Sequence, residues 1–244
     1  MAKAIISTGH YGKGMCLPGA VGNGYKEAQE AEKIVNRVGQ ILGKYASTFT
    51  DKTSTSQSQN LSTIAAHHNS KARDLDVSIH FNSAGFVATG VEVLYTTQKK
   101  TAAKWSKAIS KTLGLNDRGG KYRPELFFLR KTAKPALLIE TCFISNSKDM
   151  KAYKENFEAL CQTIAKLIAE FLEVKLEGNK ESSKPTDKPL ASSTGHQDEV
   201  YHVVKKGETL YGISKDHNIT VDKLKELNGL NSNVIGVGSK LRVK

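Results

Sequence analysis

Apolar and polar positions repeat with two periods along the first three quarters of the chain. Ala4 to Ser7 is a short apolar run suited to a strand. From Lys26 to Tyr45, Ile34, Val38, Ile41 and Leu42 recur at helical spacing, which predicts an amphipathic helix. Tyr45 to Thr50 includes a short strand. Asn60 to Lys71 predicts a second helix, with a start as early as Ser58. In Asp74 to Asn82, DLDVSIHFN, the alternation of Leu75, Val77 and Ile79 marks a half-buried strand. Val91 to Tyr95 is another strand. Ala102 to Leu113 is a third helix, with Gly114 as its stop. Leu126 to Leu129 and Ala136 to Ile139 read as strands. Met150 to Leu172 reads as one long helical stretch buried along Phe157, Leu160, Ile164, Leu167, Ile168 and Phe171. Alternation of this kind implies an α/β sheet with helices on its faces.

The pattern stops at Glu177. From there to Glu199 the only large apolar residue is Leu190, among Ser, Lys, Pro185 and Pro189, a linker composition. The expected organisation is a first domain at 1–175, a linker at 176–199 and a small domain at 200–244. In the small domain the pattern is strand, helix, helix, strand. YHVV and KLRV are its outer strands. Thr209 to His217 carries Leu210 and Ile213 inward, and Val221 to Leu227 follows Thr220 as a helix cap.

Composition narrows the classes. No apolar run reaches the ~18 residues of a membrane helix. The first residues, MAKAIISTGHYG, lack the ~7–15-residue apolar core of a secretion signal, so synthesis and folding in the cytoplasm is the expectation. Cys16, Cys142 and Cys161 are scattered, with no CxxC, which speaks against a disulfide scaffold. The net charge is +12, with 25 basic against 15 acidic side chains in 1–175 and 8 against 4 in 200–244. A polyanionic partner follows, such as an anionic cell envelope. The basic residues form no stripe interleaved with aromatics, so nucleic acid is not the favoured partner.

Candidate chemistry sits at strand ends, where α/β sheets bind ligands. One strand runs into Gly9-His10, one into His80 and one into Glu140. A lone histidine beside a core is commonly structural, whereas a buried carboxylate needs a partner. On the first helix Glu27 lies on the centre line of the buried face, Glu30 toward its margin, and Glu32 points away. Glu27 either caps the helix start or ligates a metal. His10, Glu27 and His80 suffice for a catalytic zinc, which keeps a fourth position open for water. Glu140 is then free to act as general base. Arg118 reads equally as a substrate-orienting residue or a surface arginine. His67 and His68 read as locally packed or solvated rather than as partners of the metal ligands.

At these residues the chain resembles the zinc-dependent N-acetylmuramoyl-L-alanine amidases of the Amidase_3 family. STGHYG, LPGAVGNGYKE, SIHFN and PALLIETCFISN carry the resemblance in that order, over nearly all of 3–172. It implies a twisted mixed sheet flanked by helices, Zn2+ on His10, Glu27 and His80, and Glu140 as catalytic glutamate. The implied reaction is hydrolysis of the amide between N-acetylmuramic acid and L-alanine of the stem peptide. Ser7-Thr8, Tyr11 and Cys142 depart from the usual pattern without removing a ligand. A cysteine hydrolase using Cys16 or Cys142, and a wall-binding protein without catalysis, are the competing classes.

The small domain resembles a LysM repeat, through YHVVKKGETL, ITVDKLKELN and SKLRV. The resemblance implies a βααβ fold that binds N-acetylglucosamine-containing glycans such as peptidoglycan. Its expected groove is formed by Gly207, Glu208, Thr209 and Leu210 with Asn231, Asn233, Val234 and Ile235. Without a leader, a phage endolysin released by a holin is the expected setting, with a leaderless bacterial autolysin as the alternative. Peptidoglycan, and anionic wall polymers beside it, are the expected partners, with neither nucleic acid nor membrane insertion.

Overall fold

The structure, a computed structural model, describes residues 2–85, 87–176, 201–204, 208–217, 219–228 and 239–243. The chain divides into two compact units, Met1–Glu181 and Ser182–Lys244. Residues 177–199 of the expected linker lie outside the described residues.

In the first unit the elements are β1 (Ala4–Thr8), β2 (Val21–Gly22), β3 (Tyr25–Lys26), α1 (Glu27–Leu42), β4 (Ala46–Phe49) and α2 (Gln57–Asn69). Then follow β5 (Leu75–Asn82), β6 (Val91–Tyr95), α3 (Lys99–Leu113), β7 (Asp117–Tyr122), α4 (Phe127–Lys131), β8 (Ala136–Phe143), α5 (Ser147–Glu155) and α6 (Phe157–Phe171). Six strands form one sheet in the order β4-β1-β5-β8-β6-β7. Neighbours run parallel except β6 and β8, so the sheet is mixed.

Side chains alternate across the sheet and build two layers of core. Leu75, Val77, Ile79, Val93, Leu137 and Ile139 pack in one cluster with α1, α3 and α6, including Val38, Trp105 and Ile164. Leu94, Ala136 and Leu138 pack in another with Ile64 of α2 and Phe128 of α4. Each aliphatic side chain so removed from water contributes about 1.5–3 kcal/mol.

Two predicted elements are corrected. Leu126–Leu129 is not a strand. Leu126 precedes a short helix over Phe127–Lys131, where Phe128 and Leu129 fill the α2-side core. A four-residue apolar run has too few positions to distinguish the two periods. Met150–Leu172 is not continuous either. Asn146 caps α5 by accepting from Lys148 N and Asp149 N, and Asn156 (φ −114°, ψ 20°) separates α5 from α6.

The second unit holds β9 (Tyr201–Val203), α7 (Leu210–Asp216), α8 (Val221–Asn228) and β10 (Lys240–Arg242), with β9 and β10 antiparallel. Val204, Leu210, Ile213, Leu224, Leu241 and Val243 form its core.

Candidate metal centre

Because β1, β5 and β8 are parallel, their carboxyl ends open on one edge of the sheet. His10 lies two residues beyond β1 and His80 lies on β5. Glu27 is the first residue of α1, whose start is set by Glu27 N donating to Ala20 O and Ala28 N to Pro18 O. The Val21–Lys26 hairpin leads into that helix through Asn23-Gly24, both at positive φ (50° and 79°). An Asn-Gly turn is a strong hairpin signal, and the sequence reading above left it unused.

The Glu27 carboxylate is gripped by backbone. Oε2 accepts from Ala20 N at 2.7 Å and Oε1 from Phe81 N at 3.2 Å. Oε1 also meets His80 Nδ1 at 2.9 Å and His10 Nε2 at 3.7 Å. The two imidazoles stand nearly perpendicular, centroids 5.1 Å apart. One ligand atom from each of the three residues lies within 4.8 Å of the others. Two glycines make room. A Cβ on Gly9 would fall 1.7 Å from His80 Cε1, and one on Gly19 (φ +67°) 2.5 Å from Glu27 Oε2.

This donor set fits a zinc-like cation. Two imidazole nitrogens and a carboxylate oxygen suit a borderline ion, and the amides on Glu27 orient it as outer partners orient a ligand. The electrostatics favour the metal-binding, deprotonated form of Glu27 and His10, and the protonated form of His80. Burial works to raise the Glu27 carboxyl, but the His80 hydrogen bond and then the charges of His80 and His10 hold it below its ordinary value. Burial would lower His80, yet its bond to Glu27 carries it upward. His10 is lowered, by burial first and by His80 next.

Glu140 stands directly beside His80 in the β5–β8 register. Burial pushes its carboxyl up to about 7, with His80 pulling down and Glu27 and Glu92 pushing up. Its buried Oε2 has no hydrogen-bond partner among the described residues. A half-buried, elevated carboxyl with an open oxygen is what a general base requires.

The structure also places residues outside this cluster. His68 is fully buried at the other end of β5, where Nδ1 meets Asp76 Oδ1 at 2.7 Å. His67 stacks on Phe49, centroids 3.8 Å apart. Glu30, placed by its spacing near the margin, is buried and accepts from Tyr153 Oη at 3.0 Å. Cys142 and Cys161 are buried, the latter with its thiol pushed up to about 12 by burial, and Cys16 is exposed. In the second unit Glu208 Oε2 accepts from His202 Nε2 at 2.7 Å, and His202 Nδ1 meets His217 Nε2 at 3.1 Å. Thr209 Oγ1 accepts from Gly212 N at 3.1 Å, and Leu210 fills the small core. Gly207, Asn231, Asn233, Val234 and Ile235 lie outside the described residues.

Two family models match. N-acetylmuramoyl-L-alanine amidase (Amidase_3) covers residues 5–173, and the LysM domain covers 202–244. The chain is 29% identical over 251 residues to the endolysin of Bacillus phage SPP1, spanning 94% of this chain and 91% of the relative. It is 31% identical over 175 residues to the N-acetylmuramoyl-L-alanine amidase CwlM of Bacillus licheniformis, spanning 68% of this chain. The chain spans 65% of CwlM's length and 32% of a further curated relative from Clostridium perfringens. Among solved structures, the catalytic domain of CwlV, an N-acetylmuramoyl-L-alanine amidase from Bacillus (Paenibacillus) polymyxa var. colistinus, superposes with a TM-score of 0.59. That match has 27% identity and covers 71% of this chain and 99% of the CwlV domain. No helix among the described residues is long and apolar enough to cross a membrane. The chain belongs to the Amidase_3 family of N-acetylmuramoyl-L-alanine amidases and carries a LysM domain at residues 202–244.

Proposed function

We propose that this chain is an endolysin-like peptidoglycan amidase that cuts between the lactyl group of N-acetylmuramic acid and L-alanine, with zinc held by His10, Glu27 and His80. The observation that carries this reading is the convergence of those three ligand atoms within 4.8 Å, beside a carboxyl on the next strand. A zinc ion bound there lowers the pKa of water and polarises the substrate carbonyl. Glu140 Oε2 accepts the proton of the attacking water and then delivers it to the leaving L-alanine nitrogen. The amide C–N bond breaks, a C–O bond forms, and the products are a lactyl carboxylate and a free amine. Proton transfer of this kind contributes roughly 10²–10⁴-fold. The Ala20 and Phe81 amides hold the Glu27 carboxylate in place, so little reorganisation of that side chain would be needed to hold the ion.

The LysM domain tethers the enzyme to wall glycans through residues 207–210 together with Asn231, Asn233, Val234 and Ile235. Tethering raises local concentration without adding contacts at the centre. Thr209 and Leu210 also hold that module together, so Glu208 and the backbone of the segment are the contact candidates. Release to the wall through a holin, and docking on anionic wall polymers through the basic surface, belong to the same proposal.

Mass spectrometry of digested peptidoglycan tests it. New L-alanine amino termini on free stem peptides are expected, lost with chelator and restored by zinc. New reducing sugar ends, or cuts within the stem peptide, would replace the amidase reading with another hydrolase. Loss on thiol modification instead of chelation would favour the cysteine hydrolase.

A further inference from the structure

The active edge of the sheet carries a charged row that runs beyond the groups of the hydrolytic step. His80 of β5, Glu140 of β8 and Glu92 of β6 stand side by side in register. Glu92 is 7% exposed. Its Oε1 accepts from Asn82 Nδ2 at 2.8 Å, and its Oε2 accepts from Arg118 Nε at 2.8 Å, on the next strand β7. The Arg118 guanidinium also lies over the Phe143 ring, 5.0 Å from its centroid. Both contacts fix the plane of the guanidinium while using only one of its nitrogens. Neither Nη has a hydrogen-bond partner among the described residues, and the side chain is 36% exposed. A guanidinium anchored through Nε offers its Nη pair as a fork for a planar anion.

Spacing along the row limits which group of the substrate can reach the fork. β7 lies two strands from β8, and strands are about 4.8 Å apart, so the Arg118 backbone sits about 10 Å from that of Glu140 along the row. An extended peptide advances about 3.5 Å per residue, so the second residue occupies the stretch from about 3.5 Å to about 7 Å past the scissile nitrogen. A general base reaches that nitrogen from about 3 Å. In the stem peptide the residue after L-alanine is D-glutamate joined through its side-chain carboxyl. Its α-carboxylate is therefore free, unless amidated, and comes within reach of the Arg118 fork when the stem peptide is laid along the row toward β7.

We infer that Arg118 is a specificity-determining residue that binds the α-carboxylate of the second stem-peptide residue, with Glu92 and Asn82 as its positioning residues. The inference rests on the amidase reading above. It makes the enzyme a discriminator between walls whose second residue is a free acid and walls in which it is amidated. A charge-assisted pair is worth about 1.5–3 kcal/mol, or roughly 10–100-fold in selectivity.

The test compares two soluble muropeptides that differ only in amidation of that carboxylate, cut by the full zinc-loaded chain. The wild type is expected to favour the free acid by at least about tenfold in kcat/KM, through KM. Arg118→Gln retains a donor for Glu92 but loses the charge, and its acid-to-amide ratio is expected to fall to about 1. Arg118→Lys retains the charge without the fork and should give an intermediate ratio; it decides the matter if the Gln variant fails to fold. A wild-type ratio near 1, or a variant that slows both substrates by the same factor, overturns the inference and leaves the amidase standing. A wild type that cleaves neither muropeptide but cleaves intact peptidoglycan elsewhere overturns the amidase reading and this inference with it.

Discussion

Glu140 and His80 face each other across adjacent parallel strands, and the buried Oε2 of Glu140 is left without a hydrogen-bond partner among the described residues. Four apolar residues precede that carboxyl on β8, all of them buried. A protein tolerates such a group where it has work to do.

Replacing Glu140 by Gln tests that work. The amide preserves shape and cannot accept the water proton. Amide hydrolysis should fall by about 10²–10⁴-fold, while sedimentation with peptidoglycan stays as in the wild type. Activity within a factor of two would remove Glu140 from the mechanism.

The same carboxyl sets a pH dependence of stability in metal-free protein. Its folded value is about 7 against an ordinary 4.5. Between those two values the folded chain holds a proton that the unfolded chain has released. This contribution is therefore full below pH 4.5 and is lost as pH rises through 7. The size is of order 3 kcal/mol. His10, lowered by burial, works in the opposite direction near its ordinary 6.5, so the comparison must be with Glu140→Gln. Denaturant melts in chelator should show the variant gaining on the wild type between pH 5 and pH 8. Parallel pH curves for the two proteins would refute the shift.

Gly19 is required by both backbone and space. It sits at φ +67°, and a Cβ there would crowd Glu27 Oε2 at 2.5 Å, whereas Gly14 at φ +58° has nothing within 4 Å. Gly14→Ala should cost only the left-handed strain of about 1–2 kcal/mol. Gly19→Ala should cost more and weaken zinc binding as well, measured by thermal melts with and without zinc. Equal losses, with equal zinc affinity, would mean that the cradle is not tuned to the carboxylate.

Asp51 fastens the loop beneath His10. It accepts from Thr53 N at 2.9 Å, Thr53 Oγ1 at 2.8 Å, Ser54 N at 3.2 Å and Asn60 Nδ2 at 2.8 Å. The carbonyls of Asp51 and Ser54 in turn accept from Gly12 N and Lys13 N, in the loop just after His10. Burial opposes ionisation, but the bonds to Ser54, Thr53 and Asn60 hold the carboxyl down at about 2. Asp51→Ala should destabilise by about 1–3 kcal/mol per buried donor left unpaired and broaden the zinc melting transition. An unchanged melt would show that the loop holds itself.

Much of the candidate site was legible in the sequence because its signals were local. Apolar runs fixed β1, β5 and β8, and their ends delivered His10, His80 and Glu140 to one edge. Helical phase put Glu27 on the buried face of α1, where it is found. Other parts depend on contacts far apart in sequence. DRGGKY has no alternation, and β7 exists because Gly120 lets α3 approach; a Cβ there would lie 3.0 Å from Ala103 N. Arg118 could not be separated from an ordinary surface arginine until Glu92, 26 residues away, was seen to hold it. His202, Glu208 and His217 have no metal-like spacing, yet the small fold brings them into one hydrogen-bonded chain.

The most direct measurement is a zinc titration of metal-free protein that follows bound zinc and new L-alanine amino termini together. The account predicts that cleavage is absent at the start, rises in proportion to zinc and saturates at one ion per chain, with His80→Ala failing to retain the ion. Cleavage that survives complete chelation, or a His80→Ala variant that binds zinc as tightly as the wild type, would contradict it.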